Sequence, residues 1–484
     1  MGRLSGVRAT RHECIAPHGS GFAGTIDCRH NGLVTGIDRQ SLAEAMKVER
    51  SRFNETHPQS RRLAEQAKTQ MLSGVPMPWM VRWPGDFPLF LDRADGVSFL
   101  DVDGNEYIDF CLGDTGAMTG HGRPQIAEAI AQQARKGLTT MMPTPDSIWV
   151  SNELSSRFGS MKWQFCLSAT DANRFMLRFA RHVTKRPKIV VNDWCYHGTV
   201  DEALVILDDA GETTSRPGAI GPQVHPSLTT KAVPFNDLEA LERALSPGDV
   251  AVVLMEPALT NIGIVLPEPG YLEGVREITR RYGTLLAIDE THTICAGPGG
   301  CTKAWNLEPD FVIIGKTIGG GVPVAAYGVS PEVARILEDQ MHGHDVDVSG
   351  VGGTLSGSAF GMAAIKATLS SSLLPEDFAV AEPLAMRWTA GVADVVETHG
   401  LNWHVQRLGV RAEYWFGAPP RNGRDAAASV DGELEAFFHL AALNRGVLLT
   451  PFHNMALLSP LHSVDDVDLH TRIFDECVSS LVAG

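Results

Sequence analysis

Lys316 closes the apolar run FVIIG (311–315) and opens Thr317-Ile318-Gly319-Gly320-Gly321, so its amine stands at a strand end inside a tight, desolvated turn. Desolvation favours the uncharged amine and makes such a lysine a competent imine-forming nucleophile. The plainer alternative is a lysine that snorkels from a strand end to water. Asp289 closes another apolar run, TLLAID (284–289). Taken alone it could be a metal ligand, a helix cap or an arginine's partner. Ser168-Ala169-Thr170-Asp171-Ala172 lies between WQFCLS and ANRFMLRFARHVT, where amides opening a helix beside a hydroxyl make a phosphate site. Its ordinary reading is an N-cap by Thr170 or Asp171. Tyr196-His197-Gly198 follows KIVVND and sets an aromatic ring beyond a third strand end, able to stack on a planar heterocycle. Gly198 suggests close backbone approach there.

The elements that must position these residues are short apolar runs alternating with helical stretches: 163–168, 188–193, 250–257, 284–290, 311–316 and 325–330. Such alternation predicts an α/β fold with a mainly parallel sheet and helices on both faces, whose ligands lie beyond the carboxyl ends of the strands. Before it, 40–72 has helical periodicity and reads as an N-terminal arm that Pro76, Pro78 and Pro84 break off. VSFLDVDGNEYIDF (97–110) alternates around Asp103-Gly104 as a β-hairpin does. After about 375, QRLGVRAEYWF (406–416) and NRGVLLT (444–450) read as strands. The division expected is therefore a disordered extension over 1–40, an arm and part of a small α+β domain over 41–120, a large domain over 121–370, and the rest of the small domain over 371–484. A chain of 484 residues exceeds what one core usually supports, which agrees with two domains.

The net charge of −16 and the lack of a basic patch argue against nucleic acid and anionic membranes as partners. No apolar run approaches the roughly 18 residues of a membrane span. Eight scattered cysteines without a CxxC pair fit reduced thiols in a cytoplasm, and no metal spacing is present. The first forty residues hold Arg3, Arg8, Arg11 and His12 without an apolar core of signal-peptide type.

In chain order SATDA, YHG, DETHT and GKTIGGG, supported by DVDGNEYIDF, MEP and GGTLSGS, form a set that resembles the class III aminotransferases, over roughly residues 70–480. These are pyridoxal-phosphate enzymes of fold type I, and the branch nearest in motif holds glutamate-1-semialdehyde aminomutase and β-amino-acid aminotransferases. The resemblance implies that Lys316 holds pyridoxal 5'-phosphate as a Schiff base and shuttles the proton. It implies that Asp289 keeps the pyridine nitrogen protonated, so that the ring accepts electrons. Tyr196 would stack on the ring, Thr291 would touch its other face, and Ala169 and Thr170 would cradle the phosphate, with His197 in the same cofactor-binding set. His292 falls where a glutamine in several relatives approaches the phenolic oxygen; the alternative is a packed histidine. Thr354 matches a threonine that reaches the phosphate of the neighbouring subunit, which implies a homodimer. Glu256 matches a glutamate near the site, with its role open. Relatives commonly read SGTEA, so Ala169 must take up a conformation that glycine adopts more freely.

In β-phenylalanine-type relatives an arginine follows a proline in the C-terminal segment. Here TPFHNMALLS places Phe452 and His453 there, a weaker and titratable reader, similar to a fumonisin-type aminotransferase. Arg82, Arg407 and Arg411 are possible substitutes, or pair with surface acids; Trp79, Trp83 and Phe452 are candidate apolar walls. The expected reaction moves an amino group from a β-amino acid or simple amine to pyruvate or another small 2-oxo acid, and an arginine at 453 should favour carboxylated donors. A glutamate-1-semialdehyde-type 2,1-aminomutase would use the same lysine and aspartate. Two rivals come from other classes. A dehydrogenase fails for want of an early G-x-G-x-x-G, and a metal hydrolase built on Asp289, Glu290 and His292 needs adjacent strand residues to face one ion.

Overall fold

Val250–Met255 is buried at every position, the pattern of a strand covered on both faces. In this computed structural model, which describes residues 35–341 and 350–482, it lies within a seven-stranded sheet. The order is Lys162–Cys166, Ala325–Val329, Phe311–Ile314, Leu285–Asp289, Val250–Met255, Lys188–Asn192, Thr230–Val233. The last five are mutually parallel, whereas Ala325–Val329 runs antiparallel to both neighbours. The short edge strand Thr230–Val233, with a lysine inside it, carries too weak a pattern to be read from sequence.

Successive residues of Phe311–Ile314 serve opposite faces, as the period of two requires. Phe311 and Ile313 join a core with Ala172, Met176 and Ala180 of helix Ala169–Thr184. Val312 and Ile314 join a second core with Met362 and Ile365 of helix Ala359–Ser371, which continues into Trp388, Tyr414, Phe438 and Phe474. This is an α/β fold with a mainly parallel sheet between helical layers.

The hairpin Ser98–Asp101/Glu106–Asp109 turns at Gly104, φ +89°, and Val447–Leu448 adds to it in parallel. Segments from both ends of the chain thus share one sheet. The expected single strand 406–416 is instead two, His404–Leu408 and Arg411–Trp415, folded back at Gly409. There φ is +55° and a Cβ would stand 2.0 Å from the Cys295 carbonyl, so only glycine fits. The expected strand 444–450 shrinks to Val447–Leu448.

The expected arm over 40–72 is two helices, Arg39–Thr56 and Pro58–Ala67. Proline is tolerated at a helix start but lacks the N–H that a continuous helix needs, so the break falls at His57. The buried His57 ring spans it, with Nδ1 2.7 Å from the Phe53 carbonyl and Nε2 2.7 Å from the Tyr107 hydroxyl. The expected extension lies outside the described residues as far as 34. From there the chain is packed: Thr35 and Ile37 are buried, and Trp403 donates to the Thr35 carbonyl at 2.9 Å. No helix among the described residues is long and apolar enough to cross a membrane.

Candidate active site

The parallel strands deliver their carboxyl ends to one edge, and Lys316 stands there with φ +49°, a backbone state that costs a non-glycine residue roughly 1–2 kcal/mol. Its Nζ donates to the Asp114 carboxylate at 2.7 Å and the Asp114 carbonyl at 3.0 Å, and lies 2.8 Å from His292 Nε2. Burial, aided by the nearby Lys316 charge, pushes His292 down to about 3. The ring is therefore neutral, Nε2 accepts from Lys316, and Nδ1–H is left for Thr115 Oγ1 at 2.9 Å. Burial works against the charge of Asp114, but the Lys316 ammonium holds it well below the usual carboxylate range.

Asp289 ends its strand fully enclosed. Oδ2 accepts from His197 Nδ1 at 2.9 Å and from Asn173 Nδ2 at 3.0 Å, and Oδ1 accepts from the Thr291 amide at 3.1 Å. Burial would raise its pKa; the hydrogen bond and charge of His197, with Thr291 and Asn173, outweigh that and lower it. His197 is held well above the ordinary imidazole value, because the Cys195 sulfur and Asp289 overcome its burial. Glu290 turns the other way. Its carboxylate accepts from Thr293 Oγ1 and the Thr302 amide at 2.5 Å each, from Thr302 Oγ1 at 2.6 Å and from the Cys301 amide at 3.1 Å. Asp289, Glu290 and His292 therefore face three different partners, and the metal-hydrolase reading loses its geometry.

A cavity of about 480 Å³ opens between these groups, lined by Lys316, Asp289, Thr291, His292, Tyr196 and the start of helix Ala169–Thr184. That helix is capped by Ser168, whose Oγ accepts from the Asp171 amide at 3.2 Å, and not by Thr170 or Asp171. Ala169 is its first residue and has no positive φ, so the strain anticipated for alanine in place of glycine does not arise. Thr170 Oγ1 accepts from the Thr199 amide at 3.1 Å, across Gly198. Thr291 Oγ1 is buried beside the cavity without a hydrogen-bond partner among the described residues.

Glu256 supports Tyr196 from behind. Its Oε1 accepts the Tyr196 amide at 3.4 Å, and its Oε2 accepts the Thr260 amide at 2.9 Å and, very closely, the Thr260 hydroxyl. The ring centroid of Trp79 lies 6.3 Å from Tyr196 and 5.1 Å from Phe452, with the exposed Arg82 guanidinium 5.3 Å over Trp79. Trp83 does not join this wall; it packs against the cluster of Phe53 and Phe87. Arg407 is spent on Glu382 at 2.9 Å. Arg411 is fully buried, with Nη2 2.7 Å from the Thr260 carbonyl and 3.5 Å from Glu413. His453 Nδ1 lies 3.1 Å from Glu413 Oε1. Thr354 is exposed and does not line the cavity of its own chain.

Sequence reasoning missed Asp114, Thr115, Asn173 and Glu413. Asn173 had a signal, since it interrupts the buried apolar face of its helix and a buried amide needs partners. Asp114 had none: it sits in a loop where Leu112, Gly113, Asp114 and Thr115 all have positive φ (44°, 59°, 50° and 81°).

Residues 80–412 match the family model of aminotransferase class III. A glutamate-1-semialdehyde 2,1-aminomutase of Sorangium cellulosum is 34% identical over 434 residues, 88% of this chain and 97% of that protein. Among solved structures, a glutamate-1-semialdehyde aminomutase from Pseudomonas aeruginosa PAO1 superposes with a TM-score of 0.90 at 47% identity, covering 92% of this chain and 99% of the other. An omega-transaminase from Sphaerobacter thermophilus reaches 0.81 at 28% identity, covering 89% and 99%. With the lysine, the enclosed aspartate and the helix start set around one cavity, these likenesses show that the chain belongs to the class III aminotransferases, enzymes of fold type I that depend on pyridoxal phosphate.

Proposed function

We propose that this enzyme moves an amino group from a donor whose amino carbon bears no carboxylate, a β-amino acid or a simple amine, to a small 2-oxo acid. The residues present fit the cofactor. The cavity is of cofactor size, the helix start at Ala169 and Thr170 offers amides to a phosphate, and Gly198 leaves the close approach that a side chain would fill. When bound, pyridoxal phosphate supplies an electron sink for the carbanion formed at the substrate carbon.

The chain's own groups divide the remaining work. Lys316 holds the cofactor covalently and, once released, carries the proton at Nζ. Asp289, kept ionised by His197 and Asn173, holds a proton at the ring nitrogen. Tyr196 and Thr291, both lining the cavity, would confine the ring. Thr354, exposed on its own subunit, completes the phosphate site of a second copy in a homodimer, so association and cofactor affinity are linked. We assign the enzyme to the cytoplasm, a setting that suits its six buried, unpaired thiols among the described residues.

The observation that carries the substrate reading is the engagement of the cations near Lys316. Arg411 is enclosed against Thr260 and Glu413, and His453 is bound to Glu413. Arg82, beside Trp79 and without a carboxylate within salt-bridge reach among the described residues, suits an acidic group remote from the amine. A second reading, intramolecular transfer in an amino-aldehyde, is favoured by the aminomutases among the relatives and by the same remote cation.

Single-turnover spectra with an α-amino acid, its β-isomer, the decarboxylated amine and glutamate 1-semialdehyde test both. The β-isomer and the amine should convert the cofactor rapidly. Preference for the α-amino acid would overturn the main reading, and net isomerisation of the amino-aldehyde without added oxo acid would establish the second.

A further inference from the structure

The geometry points to Asp114 as the specificity residue that receives the donor's ammonium and turns away donors with a carboxylate on the amino carbon. This rests on the amino-transfer reading above and deepens it.

Two acceptors of one residue, the Asp114 carboxylate and its carbonyl, converge on a single ammonium, that of Lys316, at 2.7 and 3.0 Å. The other carboxylate oxygen, Oδ1, is buried without a hydrogen-bond partner among the described residues, so acceptor capacity remains. The loop that presents it is held in an unfavourable shape. Four successive positive φ angles run from Leu112 to Thr115, and Asp109 clamps the turn by accepting the Cys111 and Leu112 amides at 2.8 and 2.9 Å. Strain of this kind persists only where surrounding contacts over-determine it, and it gathers at functional sites.

While Lys316 is engaged covalently it cannot offer Asp114 a free ammonium. The neighbours replace that charge only in part: His292 is neutral, and Arg411, which with His453 also favours the charged form of Asp114, is matched with Glu413 and the Thr260 carbonyl. A part-buried carboxylate that loses its nearest cation is costly, and an arriving ammonium relieves it. The donor's ammonium therefore docks where the lysine's stands in this structure. A donor carboxylate on the amino carbon would lie within a few ångströms of Asp114 and be repelled.

The test uses holoenzyme and the variants Asp114→Asn and Asp114→Glu. Asparagine tolerates left-handed backbone as aspartate does, so Asp114→Asn keeps the loop while removing the charge. Calorimetry with N,N-dimethylbutylamine, a tertiary ammonium that can dock but has no transferable amino group, reads docking apart from turnover. Binding should weaken about tenfold or more in Asp114→Asn, the size of one hydrogen bond to a charged group, and persist in Asp114→Glu. In parallel, KM for butylamine should rise and KM for 2-aminopentanoate should fall in Asp114→Asn. An unchanged dissociation constant for the tertiary ammonium in Asp114→Asn would overturn the assignment even if amines stay the better donors. A wild type that prefers 2-aminopentanoate, yet loses the tertiary ammonium in Asp114→Asn, would overturn the proposed substrate class and the rejection of such carboxylates by Asp114, and leave Asp114 as the docking group alone.

Discussion

Asp289 and His197 are joined by a hydrogen bond of 2.9 Å in which neither side chain is more than 5% exposed. Each holds the other's charge, the aspartate below its ordinary pKa and the histidine above. A buried carboxylate kept ionised in this way can stabilise a cation placed against it, whereas a neutral amide of the same shape cannot. Asp289→Asn is expected to fold and keep cofactor but to lose on the order of 10²-fold in kcat, the lower range for a positioned proton-handling group. Cofactor absorbance together with steady-state rates checks this, and unimpaired turnover would remove Asp289 from the mechanism.

Gly198 bears on cofactor affinity by a separate route. Its φ is +77°, and a Cβ there would stand 2.2 Å from Thr170 Oγ1. Gly198→Ala must displace the Thr170 hydroxyl, break its bond from the Thr199 amide and tilt the helix start at Ala169. Weakening of cofactor binding by about tenfold or more is expected, with kcat at saturating cofactor little changed. Equilibrium dialysis against pyridoxal phosphate measures it directly.

How far the sequence disclosed this arrangement depends on where each residue stands. Lys316, Asp289 and the 168–172 stretch were legible because each follows an apolar strand, and strand ends of a parallel sheet share one edge. The central strands were legible for the same reason, their runs being short and bounded by polar turns. Asp114 was not, because its position depends on a run of left-handed residues that composition does not announce and on a partner 202 residues away. Arg411 was legible as a cation near the site but not as one already occupied, since Thr260 and Glu413 reach it only through tertiary packing. The break at Gly409 was hidden inside a mixed polar and apolar segment that reads equally well as one strand.

His470 should make the protein sensitive to acid. It is enclosed by Trp388, Phe110 and Phe474, and burial alone pushes it down to about 3, against about 6.5 when unfolded. Between those values the unfolded chain binds a proton that the folded chain does not, so stability falls as pH drops from about 6.5 toward 3. Each pH unit in that window costs about 1.4 kcal/mol for one such group. Replacing His470 with phenylalanine removes the difference. Denaturant unfolding at pH 7.5 and 5.5 should show a smaller loss of stability in the variant, by on the order of 1 kcal/mol. An equal loss in both proteins would mean that His470 is protonated in the folded state.

Biasing the site toward β-amino acids over simple amines should need two changes, because of Glu413. An arginine in place of His453 would supply a bidentate reader, as the resemblance to β-phenylalanine-type relatives implies, but His453 is enclosed and already 3.1 Å from the Glu413 carboxylate. A guanidinium at that position would be matched by Glu413 before any substrate arrived, and a matched, buried pair has little charge left for a ligand. His453→Arg alone is therefore expected to change the kcat/KM ratio of carboxylated to uncharged donors by less than about threefold. Adding Glu413→Gln removes the competing acid and also releases Arg411, which stands 3.5 Å from Glu413. The double variant should shift the ratio toward carboxylated donors by about tenfold or more, the equivalent of one unobstructed charge-assisted hydrogen bond. Parallel kinetics with β-alanine and propylamine for both variants decide the point: a single variant that shifts the ratio as far as the double would show that Glu413 does not neutralise this position.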